Sequence, residues 1–267
     1  MKLVIYTSQS ALASDMFSYL YAHLSVLNID ITVVAVREGE TPFSQRVKRK
    51  LRKFFRLSFR GGMEILSSLP IQMLFDRRDG AEITRRIRAL PRPDVAFKPE
   101  QALFVPAANG PDAANVIKSL HPDILLQAGA GILRPQIFTI PKLGTLNMHH
   151  GIAPDIRGMN SIYWALWENR PEWIGATIHF INEGIDTGKP LAYFHVRPIS
   201  PCEGFAPLFA RATEGGVAAL VGVIQKMIGG GQPEVKANES GNAYRSTFSG
   251  WKRLLLEYRL NRQKRKF

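Results

Sequence analysis

Asn147, His149 and Asp186 are the side chains of this sequence whose types and spacing are suited to moving a proton and holding an oxyanion. Asn147 and His149 stand two apart at the end of the run Gly144-Thr145-Leu146-Asn147-Met148-His149. On an extended strand such residues share one face. Asp186 sits in the Gly-bounded turn Glu183-Gly184-Ile185-Asp186-Thr187-Gly188. That turn follows a second strand pattern, Ile174 to Ile181, which is expected to pair with the first and bring the carboxylate close. An amide N–H can stabilise a developing oxyanion, an imidazole can transfer a proton, and a carboxylate can orient or tune the imidazole. Acyl transfer fits this set. Metal binding does not, because asparagine is a poor ligand and no other cluster has ligand spacing.

The elements needed to position these residues are those of an open α/β sheet. Lys2 to Tyr6 and Asp30 to Val36 read as strands flanking a helical pattern from Ser10 to about Ser25, a βαβ opening. Thr7-Ser8-Gln9-Ser10-Ala11 follows the first strand, so the glycine fingerprint of a dinucleotide site is absent there. Asp79 to Ala89 reads as a charged helix. From Ala113 the pattern runs helix to Leu120, strand over Asp123 to Gln127, a glycine loop, a short helix and the strand ending at His149. A helix over Asn160 to Trp167 carries Tyr163, Trp164 and Trp167 as core aromatics. Strands near Ile174 to Ile181 and Pro190 to Val196 form a hairpin, with His179 and His195 read as structural. A long helix from about Glu203 to Ile228 closes the core. Ligands of such sheets bind at the carboxyl ends of the strands, where Gln127-Ala128-Gly129-Ala130-Gly131 and the Asn147/His149 pair would meet.

The chain resembles the formyltransferases that use 10-formyltetrahydrofolate. Their N-x-H, L-P-x-x-R-G-like and D-x-G motifs have counterparts in Asn147-Met148-His149, Ala153-Pro154-Asp155-Ile156-Arg157-Gly158 and Asp186-Thr187-Gly188. The likeness runs from about Pro122 to Leu191. It departs at His150-Gly151, where many members have Pro-Ser, and at Ala153, where Leu is common. It implies a Rossmann-like formyltransferase fold: an open, mostly parallel sheet flanked by helices. It also implies Asn147, His149 and Asp186 as catalytic residues and 10-formyltetrahydrofolate as formyl donor. Binding of the donor is then expected at Gln127, Ala128, Gly129, Ala130, Gly131, Ile132, Leu133, Asn182 and Gly184, largely through backbone groups. His150 and Arg157 are the expected contacts of the acceptor, an arginine fork being matched to phosphate or carboxylate. The expected acceptor is the amine of a small molecule, foremost a nucleotide-linked amino sugar destined for a surface polysaccharide. Methionyl-tRNA formylation, formyltetrahydrofolate hydrolysis, a purine-pathway formyltransferase and a non-catalytic RNA- or membrane-binding protein are the alternatives. The tRNA-directed members carry a sizeable C-terminal β-barrel for which the tail after Pro233 is too short. The hydrolases begin with a small regulatory domain for which there is no room before Lys2.

Composition agrees with a globular chain: 267 residues are 45% hydrophobic and hold one cysteine, Cys202, so no internal disulfide framework is available. The start reads as a first strand and not a signal peptide, and a reducing cytoplasm is the expected compartment. No apolar run reaches the roughly 18 to 20 residues of a membrane span. The net charge of +13 is localised: Arg46 to Arg60 contributes +8 and Trp251 to Phe267 +6, leaving a body of −1. A catalytic domain over 1–235, interrupted by a basic amphipathic helix at about 43–62, is therefore expected, followed by a basic helical tail over 236–267. The insertion carries Phe43, Val47, Leu51, Phe54 and Phe55 at helical spacing. The tail carries Trp251, Leu254, Leu255 and Tyr258 on one face. These basic helices are read as appendages that serve partners and not the fold. They pack on the body, lie on the inner face of an anionic membrane, or bind RNA phosphates.

Overall fold

A computed structural model describes residues 1–38, 63–64, 67–200, 202–231 and 244–264. The basic insertion expected at 43–62 lies outside the described residues. Seven strands form one sheet: β1 (Lys2–Ser8), β2 (Asp30–Val36), β3 (Leu103–Val105), β4 (Ile124–Gln127), β5 (Gly144–His149), β7 (Gly175–Phe180) and β8 (Pro190–His195). Their order is β3-β2-β1-β4-β5-β7-β8. The first five are parallel, and β7 and β8 run antiparallel to their neighbours. A two-residue strand β6 (Arg157–Gly158) pairs in parallel with β9 (Tyr244–Arg245).

Strand alternation builds two apolar layers. Leu3, Ile5, Leu126, Leu146 and Ile178 face helices α2 (Asp15–Ser25) and α7 (Phe205–Ile228), meeting Leu24, Leu220 and Ile224. Val4, Tyr6 and Leu125 face α4 (Pro111–Leu120) and α5 (Pro135–Phe138), meeting Ile117 and Ile137. By length and composition α7 could cross a membrane, but half of its most apolar window is buried in this core.

The helix expected over Ser10 to Ser25 is broken into α1 (Gln9–Leu12) and α2. Ser14 ends the first piece and caps the second, its Oγ accepting from the Phe17 N–H at 3.1 Å. The charged helix expected from Asp79 starts ten residues earlier, as α3 (Leu69–Arg88), with Pro70 in its first turn. Asp79 is buried there and accepts from the Tyr163 hydroxyl of α6 (Ser161–Trp167) and from the Arg78 guanidinium.

The tail is part of the fold, contrary to the reading of it as an appendage. In α8 (Gly250–Lys264) the buried residues are Gly250, Arg253, Leu256 and Leu260, and Phe248 just ahead of it is fully buried against Tyr163. Arg253 bonds Asp76 at 2.5 Å and lies over the Tyr163 ring at 4.5 Å. Trp251, Leu254, Leu255 and Tyr258 face outward instead. Periodicity finds the stripe but not its direction, because Asp76 of α3 and the Tyr163 ring hold Arg253 inward beside Leu256 and Leu260.

Candidate active site

Register assembles the centre of the site. β5 and β7 pair so that Asn147 stands opposite His179 and His149 opposite Thr177. The turn after β7 then returns Asp186 over the end of β5. One Asp186 oxygen lies 3.3 Å from His149 Nδ1 and the other 3.6 Å from His179 Nε2. The three expected catalytic residues are thus brought together, and His179, read from the sequence as a structural residue, stands in contact with Asn147 and Asp186. Its position directly across from Asn147 was the signal available, once the register of the two strands is known.

The hydrogen bonds define the tautomer of His179. Its Nδ1 is 2.8 Å from the Phe180 carbonyl, which can only accept, so Nδ1 carries the proton. Nε2 is left to accept from the Asn147 amide Nδ2 at 3.1 Å. His179 therefore orients the amide of Asn147, whose second N–H has no partner among the described residues. His149 is buried, with Nε2 3.2 Å from both the Ile156 carbonyl and the Ser161 hydroxyl. Ser161, which sequence reasoning missed, thus touches the central imidazole.

Glycines let the loops approach. Gly158, the glycine of the Arg-Gly motif, has φ +94° and donates its N–H to Asp186 at 2.9 Å. A Cβ there would lie 2.3 Å from the Arg245 carbonyl oxygen of β9. Gly158→Ala is expected to cost roughly 1 to 3 kcal/mol of stability through the positive φ. It should also reduce activity beyond that loss, since β9 and the Asp186 anchor must move; urea unfolding and turnover of one preparation check this. Gly188 of the Asp-Thr-Gly run passes the end of β7, where a Cβ would meet the Phe180 carbonyl oxygen at 1.6 Å. Asp186 itself adopts φ +51°, an uncommon conformation for a residue with a Cβ.

The electrostatics separate an anion from neutral rings. Burial pushes the Asp186 carboxyl up, but the neighbouring His179 and His149 and the hydrogen bond from the Gly158 N–H together hold it down at about 2. Burial lowers the pKa of His149, and Asp186 offsets this in part. Burial, followed by the neighbouring His149, pushes His150 down to about 3. Both rings are neutral at pH 7. A histidine whose pKa is lowered by folding leaves stability complete above its ordinary value of 6.5 and eroding as pH falls below it. Unfolding free energy should therefore decline on going from pH 6.5 towards 4.5, by up to about 1.4 kcal/mol per pH unit for the His150 ring, with His149 adding in the same direction. In His150→Gln the decline should be shallower by one such increment, as urea titrations across that range would read.

Two clefts meet at Asn147. One, of about 230 Å³, is lined by Gln127, Gly131, Ile132, Leu133, Asn182 and Gly184 together with Asn147, His179 and Asp186. Ile132 and Ile185, 76% and 42% exposed, form its apolar rim. Gln127 closes the first loop by donating to the Gly131 carbonyl at 3.0 Å, and Asn182 closes the second by accepting from Gly184 N–H and Thr187 hydroxyl. Of the other residues expected here, Ala130 is packed into the core. Ala128 has its N–H and C=O bonded to Tyr6 and Thr7, and with Gly129 it lines a separate cavity of about 160 Å³. The second cleft, of about 240 Å³, is lined by Asn147, His149, His150, Asn160, Ser161, Phe205 and Phe209 among others. The structure does not bring Arg157 to either cleft: it is half-buried in β6, paired with Tyr244.

A family model described as formyl transferase matches residues 69–224. The chain is 31% identical over 169 residues to a methionyl-tRNA formyltransferase of Pseudoalteromonas translucida, covering 62% of this chain and 51% of that one. It spans about half the length of the curated relatives it matches. In fold it is similar to a sugar N-formyltransferase from Shewanella sp., with TM-score 0.58 and 14% identity over 97% of this chain and 87% of the other. It is also similar to a formyltransferase from Anoxybacillus kamchatkensis solved with UDP-4,6-dideoxy-4-formamido-L-AltNAc and tetrahydrofolate, with TM-score 0.50 and 14% identity over 92% and 86% of the two chains.

Proposed function

The chain belongs to the formyl transferase family, and from that premise we propose that it moves a formyl group from 10-formyltetrahydrofolate to the amine of a small molecule, foremost a nucleotide-linked amino sugar. The observation that carries this reading is the junction itself: Asn147, fixed by His179, stands where two clefts meet, beside a neutral imidazole and an ionised carboxylate.

In this reading the first cleft takes the folate. Its apolar rim of Ile132 and Ile185 and its glycine-bearing loops suit a planar ring held by backbone groups. The donor supplies an activated formyl carbon. The unprotonated acceptor amine attacks that carbon from the second cleft, forming the new C–N bond and placing negative charge on the formyl oxygen. The free N–H of Asn147 stabilises that oxygen. His149 takes up a proton from the attacking nitrogen, and the imidazolium that forms is held by Asp186 at Nδ1 and the Ile156 carbonyl at Nε2. As the bond to the folate nitrogen breaks, that nitrogen receives the proton taken up by His149, restoring the neutral ring and leaving tetrahydrofolate and a formamide.

The test is calorimetric titration with a 10-deaza analogue of formyltetrahydrofolate, followed by mass detection of formyl transfer to a UDP-linked 4-amino-4,6-dideoxyhexose and to methionyl-tRNA in parallel. Saturable analogue binding with formylation of the sugar is the expected result, and a folded protein that ignores the analogue would sink the reading. Methionyl-tRNA is the second candidate acceptor, favoured by the 31% identity to the methionyl-tRNA enzyme.

We further propose peripheral contact with an anionic membrane through α8. Its outward Trp251, Leu254, Leu255 and Tyr258 are interleaved with Lys252, Arg259, Arg262 and Lys264, a basic amphipathic surface suited to an interface. Co-sedimentation with vesicles containing anionic lipid, absent with purely zwitterionic vesicles and weakened by salt, is expected. Equal recovery in the supernatant with both lipids would remove the proposal, and salt-sensitive RNA binding in its place would reassign the surface.

A further inference from the structure

His150 occupies a place for which the catalytic set has no use. It follows His149 on β5 but points to the α7 side of the sheet, where its ring stacks on Phe209 with centroids 4.2 Å apart and planes 13° from parallel. It forms a wall of the second cleft and of the smaller cavity that reaches Gly129. The ring is held by a relay. Thr213 donates its hydroxyl proton to the Phe209 carbonyl one turn earlier in α7, at 2.9 Å. Having spent its one proton there, the hydroxyl can only accept from the ring nitrogen 2.9 Å away, so His150 Nε2 carries a hydrogen. The ring is then neutral with a bare lone pair on Nδ1, which no described residue hydrogen-bonds.

The rest of the cleft restricts what this lone pair can meet. Phe205, Phe209 and Ile162 provide apolar walls, Asn160 and Ser161 provide neutral polar groups, and no Lys, Arg, Asp or Glu lines it among the described residues. An anionic group is therefore unmatched there. A hydroxylated ring, able to lay C–H groups on phenylalanine and direct an O–H to a nitrogen, is matched.

We propose that His150 is a specificity-determining residue: its Nδ1 accepts a hydrogen bond from a ring hydroxyl of the acceptor, so that an uncharged sugar ring fills this cleft and any phosphate lies outside it. Thr213 is the positioning residue that fixes the tautomer. The inference rests on the formyl-transfer reading and names the group next to its amine. A site built around a hydroxyl rejects an analogue lacking it, because a polar atom is then left without a partner.

Two measurements test it. Imidazole ¹⁵N spectra at neutral pH, with His150 assigned by the signal missing in His150→Gln, should report a protonated Nε2 and a bare Nδ1. The opposite tautomer or an imidazolium overturns the proposal. Formyl transfer is then compared between the UDP-linked 4-amino-4,6-dideoxyhexose and its ring-deoxy analogues. Wild type should lose about tenfold or more in kcat/KM on removal of one particular hydroxyl. His150→Phe, which keeps the stacking, should raise KM for the parent sugar about tenfold and show no such discrimination, with binding of the folate analogue unchanged. Thr213→Val should behave in the same direction and Thr213→Ser should restore the wild-type pattern. Equal discrimination in wild type and His150→Phe overturns the inference while sparing the formyl-transfer reading. Transfer to methionyl-tRNA with none to the sugar also overturns it alone, and loss of folate-analogue binding in wild type overturns both.

Discussion

Asp186→Asn is expected to lower formyl transfer by about 10²- to 10⁴-fold, the usual range for disabling general acid–base chemistry, while the protein remains folded. The substitution keeps the shape of the side chain and one oxygen able to accept the Gly158 N–H, now at 2.9 Å. It changes what His149 faces. With the carboxylate, held ionised with a pKa of about 2, Nδ1 carries a proton and the positive charge formed during transfer has a counter-ion at 3.3 Å. With the amide, the oxygen that keeps the Gly158 N–H is the same one that faces Nδ1, so the ring holds its tautomer but the imidazolium formed during transfer has lost its counter-ion, and the new NH2 stands towards His179. His149 should then fail as an acceptor of protons while still filling its space. Single-turnover transfer with saturating folate and amine reads this without interference from product release. A loss under tenfold would show that the carboxylate serves only to close the loop.

The second large effect is expected at Asn147. Asn147→Ala should cost about 10²- to 10³-fold in kcat, as loss of one oxyanion donor commonly does. The argument rests on orientation. His179 donates from Nδ1 to Phe180 and accepts at Nε2 from Asn147, so one amide N–H is consumed and the amide plane is set before any substrate arrives. The other N–H is then preorganised at the junction of the clefts. Such an interaction matters when charge develops, so kcat and kcat/KM should fall together and the binding of the folate analogue should change little. Asn147→Asp should be at least as damaging, because it presents negative charge to the oxyanion. An unchanged kcat with a raised KM would instead make Asn147 a binding residue.

The parts of this site legible in the sequence are those fixed by short-range geometry. The two-residue period of a strand puts Asn147 and His149 on one face wherever the strand goes. Glycines at 158, 184 and 188 announce turns because their surroundings leave no room for a Cβ. The loops Gln127 to Leu133 and Asn182 to Gly184 could be placed together because open α/β sheets gather ligands at strand ends, and most of their residues do line one cleft. Ala128 and Ala130 sit in the same loop but turn their groups into the fold, a distinction that depends on Tyr6, Thr7 and the core beneath them.

Tertiary structure decided the rest, since it turned on partners distant in the chain. His179 looked like an interior strand residue until the antiparallel register set it against Asn147. The tail became structural because β9 covers Gly158 and α8 finds Asp76 on α3 for its buried Arg253, leaving the aromatic face outward. His150 acquired a defined tautomer from a threonine 63 positions later. The sequence by itself determined which chemistry was available and roughly where. The packing of remote elements determined which nitrogen carries a proton, which face is free and which loop holds the carboxylate, because hydrogen-bond direction and burial are properties of neighbours in space.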